Sequence, residues 1–136
     1  MFDRLVYWGL PYWWVIRPEQ VGAQAMRIQE LTAWCWQSRP SDPWLVFYHG
    51  NAGNLSFPSA RARRLQILHS LGLNVLAIDY RGFGKSPGRP TEPGLYEDGQ
   101  RAYDYALAQA DGDPNRLIIY GRSLGGGVAC RMATAS

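Results

Sequence analysis

Cysteine, histidine and lysine are scarce in this chain of 136 residues, and each scarcity rules something out. Cys35 and Cys130 stand far apart and suggest no disulfide framework, and neither His49 nor His69 lies near them at metal-ligand spacing. No metal and no cofactor are therefore expected, and two unpaired thiols suit a reducing, cytoplasmic setting. Lys85 is the one lysine beside thirteen arginines, for a net charge of +3. The arginines are scattered rather than striped, which excludes a nucleic-acid interface. Long apolar runs are missing as well. The longest, Leu5 to Ile16, has 12 residues and is broken by Gly9 and Pro11, whereas a spanning helix needs about 20. It also makes a poor signal peptide, because Asp3 accompanies Arg4 and no small-residue cleavage site follows Ile16. The most consequential absence is at the far end: thirteen residues follow Ser123, and none is His, Asp or Glu.

What is present is a globular composition, 46% hydrophobic and 18% charged, with 15 Gly and 9 Pro as punctuation. Residues 1–30 form an aromatic-rich N-terminal segment that includes Trp8, Trp13, Trp14, Tyr7 and Tyr12. Two roles fit these rings: covering a sheet edge or core opening, and peripheral contact with a membrane interface. The cluster Arg61, Arg63 and Arg64 spans one helical turn and reads as a solvated helix face, with an anionic-partner patch as the other reading.

From residue 31 onward, strands and helices alternate. QELTAWCW (Gln29 to Trp36) ends in β-prone aromatics and predicts a strand, stopped by Ser38, Pro40, Ser41 and Pro43. WLVFYHG (Trp44 to Gly50), LNVLAIDY (Leu73 to Tyr80) and RLIIYG (Arg116 to Gly121) are nearly unbroken apolar runs, as in strands buried on both faces. Between the first two, a helix should open at Ser56 or Ser59 as N-cap, show an apolar stripe of Leu65, Leu68 and Leu71 with Ile67 beside it, and end at Gly72. A second helix is predicted from Leu95 to Gln109, its small face Gly99, Ala102, Ala106 and Ala110 allowing close packing on a sheet. DGDPN is a turn cluster, and a third helix starts at Leu124. The fold class is α/β, a mostly parallel sheet with flanking helices.

In such a sheet ligands bind beyond the carboxyl ends of the strands. Three motifs fall there: HGNAGN, DYRGFGKS and GRSLGGG. GRSLG puts Ser123 between Gly121 and Gly125, and composition alone gives roughly 0.1 chance matches to that pattern. Its position, directly after a strand and opening a helix, is that of a nucleophile elbow. The turn strains the serine, flanking glycines relieve crowding, and the helix start aims N–H groups at a developing oxyanion. HGNAGN, a glycine turn after the first buried strand, would add a second N–H. Asn51 and Leu124 are the expected backbone donors of an oxyanion hole. His49 and Gly50 then shape the site, His49 as a positioning group rather than the base, and His69 reads as a surface residue. Gly84-Lys85-Ser86 echoes a phosphate loop, but Asp79 stands where that loop's first glycine belongs, and Pro87 and Pro90 replace the helix that should follow.

Together HGNAGN, DYRGFGKSPGRPTEPGLYEDGQ and YGRSLGGGVA resemble the bud-emergence-type branch of the α/β-hydrolase superfamily, a set of often membrane-associated serine hydrolases. The resemblance covers roughly residues 31–136. It implies Ser123 as nucleophile, backbone amides of Asn51 and Leu124 as oxyanion hole, and Asp79 to Ser86 as a structural loop beside the site. It implies hydrolysis of an ester, thioester or amide through an acyl-enzyme, on a small-molecule or acyl substrate. In that superfamily the acid and then the histidine follow the serine along the chain, so residues 31–136 correspond to a partial domain, the N-terminal half of the fold, ending just after the elbow. The expectation is a fragment whose Ser123 is placed but not activated. The competing reading is a non-catalytic half-hydrolase that self-associates or binds a partner through the sheet edge left open at Arg116 to Tyr120.

Overall fold

Two of the three apolar runs lie inside the sheet, whereas the third, expected to be buried on both faces, is its edge strand and only partly buried, with Ile118 43% exposed. In the structure, a computed structural model that describes residues 15–51 and 53–135, five strands occur: β1 (Gln24–Ile28), β2 (Leu31–Trp36), β3 (Trp44–Tyr48), β4 (Asn74–Ile78) and β5 (Leu117–Gly121). Their spatial order is β1-β2-β4-β3-β5. β1 pairs antiparallel with β2 and β2 antiparallel with β4, whereas β4–β3 and β3–β5 are parallel. Helix α1 (Ser59–Ser70) links β3 to β4, α2 (Glu92–Gln109) lies between β4 and β5, and α3 (Leu124–Ala135) follows β5. The aromatic stretch up to Trp14 lies outside the described residues.

The central strands bury both faces, so their alternation divides two cores rather than core from solvent. Ala33, Cys35, Val46, Tyr48, Leu76 and Ile78 face α2 and α3, joined by Ala102, Ala106 and Val128. Trp34, Trp36, Leu45, Phe47, Val75 and Ala77 face α1, joined by Val21, Ala62 and Leu65. The Trp36 indole N–H donates to the Val21 carbonyl at 2.8 Å, which satisfies the one polar atom of a fully buried ring. The small face of α2 works as expected: Ala102, Ala106 and Ala110 are buried, and the Tyr48 hydroxyl donates to the Gly99 carbonyl at 2.8 Å.

Several sequence expectations are corrected. β1 is a strand that the sequence did not signal; its register runs from Gln24 against Cys35 to Ile28 against Leu31. α1 has no serine cap, because Pro58 occupies the N-cap. Ser56 is held instead in the preceding turn, its N–H on Asn54 Oδ1 at 2.8 Å and its carbonyl taking the Ile16 N–H at 3.1 Å. The stripe on α1 is also narrower than predicted: Ala62 and Leu65 carry the buried face, while Ile67 is 61% and Leu71 73% exposed. Gly72 does follow the helix in the left-handed region, at φ 91°. α2 begins a turn before Leu95 because Thr91 caps it, its hydroxyl accepting the Gly94 N–H at 3.0 Å, and Pro93 is tolerated in the first turn, where no intrahelical N–H partner is needed.

β3 sits where the strand order reverses: α1 leaves it toward β4, and the chain later returns to pair β5 on its other side. A crevice opens at such a switch point. Gly50, after β3, and Ser123, after β5, flank it.

Candidate active site

Between the end of β5 at Gly121 and the start of α3 at Leu124 the chain has two residues to reverse direction. Ser123 takes the strained role, at φ 56° in the left-handed region. The turn is closed by Gly125 N–H to the Arg122 carbonyl at 3.0 Å and Gly126 N–H to the Ser123 carbonyl at 2.8 Å. Arg122 N–H donates across to the Tyr48 carbonyl at 3.2 Å, which ties the elbow to β3. Both flanking glycines are required by contact. A Cβ on Gly121 would overlap the Gly125 carbonyl, and one on Gly125 would overlap the Tyr48 carbonyl. Strand and helix thus approach backbone to backbone, and Ser123 stands exposed at the apex.

The glycine turn after β3 presses against the same serine. A Cβ on Gly50 would lie 3.3 Å from the Ser123 Cβ and from the Arg122 carbonyl, and 3.9 Å from Ser123 Oγ. Asn51 borders two hollows that meet at the elbow. One is an apolar cleft of about 350 Å³ between Phe83, Leu95, Tyr96, Leu124 and Val128. The other, of about 530 Å³, is lined by Phe47, Tyr120, Arg61, Arg64, Arg122 and Ser123 itself.

His49 is not available to Ser123. Its ring is fully buried, with Nδ1 2.7 Å from the Gly50 carbonyl and Nε2 3.1 Å from Asp79 Oδ1. Tyr80 and Phe83 stack around it at ring-centre distances of 4.7 and 5.5 Å, and the Tyr80 hydroxyl donates to the His49 carbonyl at 2.9 Å. Both ring nitrogens thus lie within hydrogen-bond distance of an oxygen. The histidine clamps the glycine turn after β3 to the loop after β4. His69 lies at the opposite end of the sheet, in the last turn of α1, half-buried with Nε2 2.8 Å from the Gln37 carbonyl.

The DYRGFGKS loop is a brace. Asp79 Oδ1 also accepts the Leu55 N–H at 2.9 Å, and a Cβ on Gly84 (φ 52°) would overlap the Asp79 carboxylate. Ser86 donates to the Asp79 carbonyl at 2.7 Å and accepts the Thr32 N–H at 2.9 Å. Arg81 folds onto buried Asp98 of α2, through Nη2 at 2.9 Å and Nε at 3.2 Å, and its backbone N–H donates to the same carboxylate at 2.8 Å. Hydrogen bonding to Asp98, with Glu97 adding to it, holds the Arg81 guanidinium more firmly charged than usual. The sequence reading missed Asp79 as the partner of His49 and Asp98 as the partner of Arg81. A charged residue inside an otherwise apolar strand end was the available signal for the first; for the second there was none. Burial pushes the hydroxyls of Tyr48 and Tyr80 up, so neither ionises readily beside the site. Among the described residues no group of His, Cys, Asp and Glu side chains could hold a metal ion, and no helix is long and apolar enough to cross a membrane.

Comparison with known proteins agrees with this geometry. The family described as alpha/beta hydrolase fold matches residues 43–135. Protein bem46 of Schizosaccharomyces pombe is 40% identical over 95 residues, 68% of this chain and 30% of that protein. The alpha/beta hydrolase domain-containing protein WAV2 of Arabidopsis thaliana is 34% identical over 112 residues, 81% of this chain and 36% of its own length. The chain spans about a third of the length of these curated relatives. Among solved structures, an esterase of Pyrococcus furiosus superposes with a TM-score of 0.66 at 24% identity, over 85% of this chain and 48% of that one. An alpha-beta hydrolase of Vibrio vulnificus gives 0.67 at 26% identity, over 86% and 41%. By its strand–elbow–helix geometry and by the extent of the family match, the chain belongs to the α/β-hydrolase family.

Proposed function

We propose that this chain carries the nucleophile half of a serine hydrolase acting on ester, thioester or amide bonds. The observation that supports it most is Ser123, held at φ 56° on the elbow with the Gly50 turn packed against its Cβ. Ser123 Oγ would attack the substrate carbonyl carbon. The carbonyl oxygen would become an oxyanion facing the backbone N–H groups of Asn51 and Leu124. Collapse of that intermediate breaks the bond to the leaving alcohol, thiol or amine and leaves an acyl-serine, which water then hydrolyses. The proton lost by Ser123 must pass to a base and on to the leaving group. Neither histidine of these 136 residues suits that role, since His49 is sealed against Asp79 and His69 sits beyond the far end of the sheet. On this reading Ser123 is positioned but not activated by the chain itself, and base and acid come from other polypeptide.

The oxyanion hole and binding alone can sustain roughly 10³–10⁴-fold over the uncatalysed rate. The expected result is therefore slow hydrolysis of p-nitrophenyl acetate, partly retained in Ser123→Ala, and slow labelling by a fluorophosphonate, which is lost in Ser123→Ala. Labelling that survives Ser123→Ala would overturn the nucleophile assignment. Turnover at tens per second by the chain alone would overturn the claim that it lacks an activating base.

The exposed flank of β5 favours a second reading, a non-catalytic module that associates through its sheet edge. β5 pairs only with β3 among the described residues, and Ile118 is 43% exposed. Concentration-dependent dimerisation in light scattering, together with no fluorophosphonate labelling, would favour it over the enzyme.

A further inference from the structure

Of the Arg61, Arg63 and Arg64 cluster on α1, two members line the 530 Å³ hollow that contains Ser123, and Arg122 of the elbow joins them. Among the described residues the rest of the lining is neutral, Phe47, Leu65 and Tyr120 being apolar, and none of it is a carboxylate. Three guanidinium groups thus share one concave site with the nucleophile. Arg61 is fixed in it, its Nη1 donating to the Asn54 carbonyl at 2.7 Å and to the Phe57 carbonyl at 3.3 Å. Burial is the main influence disfavouring the Arg61 charge, Asp79 offsets it in part, and Arg64, one turn along α1, opposes it further. Arg64 and Arg122 are exposed, and neither makes an ion pair among the described residues. Such a concentration of one sign of charge over an apolar floor attracts an anion, and guanidinium forks match the oxygens of a carboxylate or phosphate.

We infer that this hollow binds an anionic oxygen group, a carboxylate or phosphate, carried by the substrate whose carbonyl Ser123 attacks. The inference rests on the reading of Ser123 as nucleophile and narrows its substrates to charged esters or thioesters. The 350 Å³ cleft on the other side of Asn51 has an apolar floor of Phe83, Leu95 and Val128 and fits the uncharged hydrocarbon part. One substrate would then span both hollows with its scissile carbonyl between them.

The test is binding, measured apart from catalysis on the whole chain with Ser123→Ala. Hexyl phosphate, hexanoate and the neutral hexanamide are titrated while amide and arginine side-chain resonances are followed by NMR. The expected result is that at least one anion binds about tenfold or more tightly than hexanamide. Its shifts should centre on Arg64, Tyr120 and Arg122. Preference for hexyl phosphate over hexanoate would assign a phosphate-bearing substrate, and the reverse a carboxylate. Arg64→Gln with Arg122→Gln should abolish the preference, whereas Arg63→Gln, off the lining, should retain it. Equal binding of hexanamide and both anions to the chain with its arginines intact would overturn the inference without needing either variant. So would undiminished anion binding by the double variant. Fluorophosphonate labelling of Ser123 is scored separately: labelling without anion preference sinks the subsite alone, and anion preference without labelling sinks the nucleophile reading alone.

Discussion

Gly125 and Gly127 lie two residues apart in the first turn of α3, and alanine should act oppositely at the two. At Gly127 a Cβ meets nothing within 4 Å. Alanine there removes the glycine's excess backbone entropy, a gain of about 0.5–1 kcal/mol. At Gly125 the same methyl would overlap the Tyr48 carbonyl and lie 2.8 Å from the His49 carbonyl. Those oxygens belong to the end of β3, where Tyr48 also accepts the Arg122 N–H at 3.2 Å. No rotamer change relieves a clash between two backbones, so α3 must separate from β3. Overpacking costs about 1–3 kcal/mol against side chains and more against main chain, so a gross cost of about 4 less a propensity gain of about 1 leaves about 3 kcal/mol. At an m-value of about 2 kcal/mol/M, that lowers the urea midpoint by about 1.5 M. Separation also draws Ser123 away from Gly50, so fluorophosphonate labelling should slow more in Gly125→Ala than in Gly127→Ala. Equilibrium urea unfolding of both variants is the assay. A Gly125→Ala protein within 0.5 kcal/mol of the parent, or a Gly127→Ala protein less stable by more than 1 kcal/mol, would refute the close-approach account of this elbow.

Asp98→Asn keeps the shape of a fully buried side chain but removes the charge that pairs with Arg81. Breaking a buried pair costs about 3–5 kcal/mol, and partial exposure of Arg81 together with its contact to Glu97 reduces this to about 2. A double-mutant cycle with Arg81→Ala should give a coupling above about 1 kcal/mol, and a value near zero would remove the brace from the argument. Burial pushes the Cys35 thiol from 9.0 up to about 11. The folded state therefore favours the protonated form, a stabilisation complete below pH 9 and lost as pH rises toward 11. Urea midpoints of the parent and Cys35→Ala should converge across that window, and a constant difference would contradict it. At pH 8 a thiol reagent should modify exposed Cys130 in the native protein and reach buried Cys35 only on unfolding.

Much of this was legible in the chain because the information was local. WLVFY and VLAI are apolar without interruption and are covered on both sides, whereas LIIYG has the same pattern but forms a half-buried edge; each is followed by a glycine-bearing turn. β1 was not legible. Its residues QAMRI are mostly exposed along a hairpin edge, so burial left no alternation to read. The α1 stripe misled for a related reason: three leucines at helical spacing mark a face only if something lies opposite, and beyond Leu68 nothing covers Leu71. The serine cap failed because the turn before α1 engages Ser56 in other hydrogen bonds.

The sequence by itself determined the order of elements, the three loops at the carboxyl ends of the parallel strands, and the serine flanked by glycines, because propensity, periodicity and turn chemistry act over a few residues. Only the tertiary structure decided which groups meet. Asp79 reaches His49 across 30 positions and Asp98 reaches Arg81 across 17. Arg61 and Arg64 come to Arg122 because β3 and β5 are neighbours and α1 starts beside their ends. Such contacts depend on strand order and register, which arise from the packing of two whole cores on one sheet rather than from any short stretch of chain.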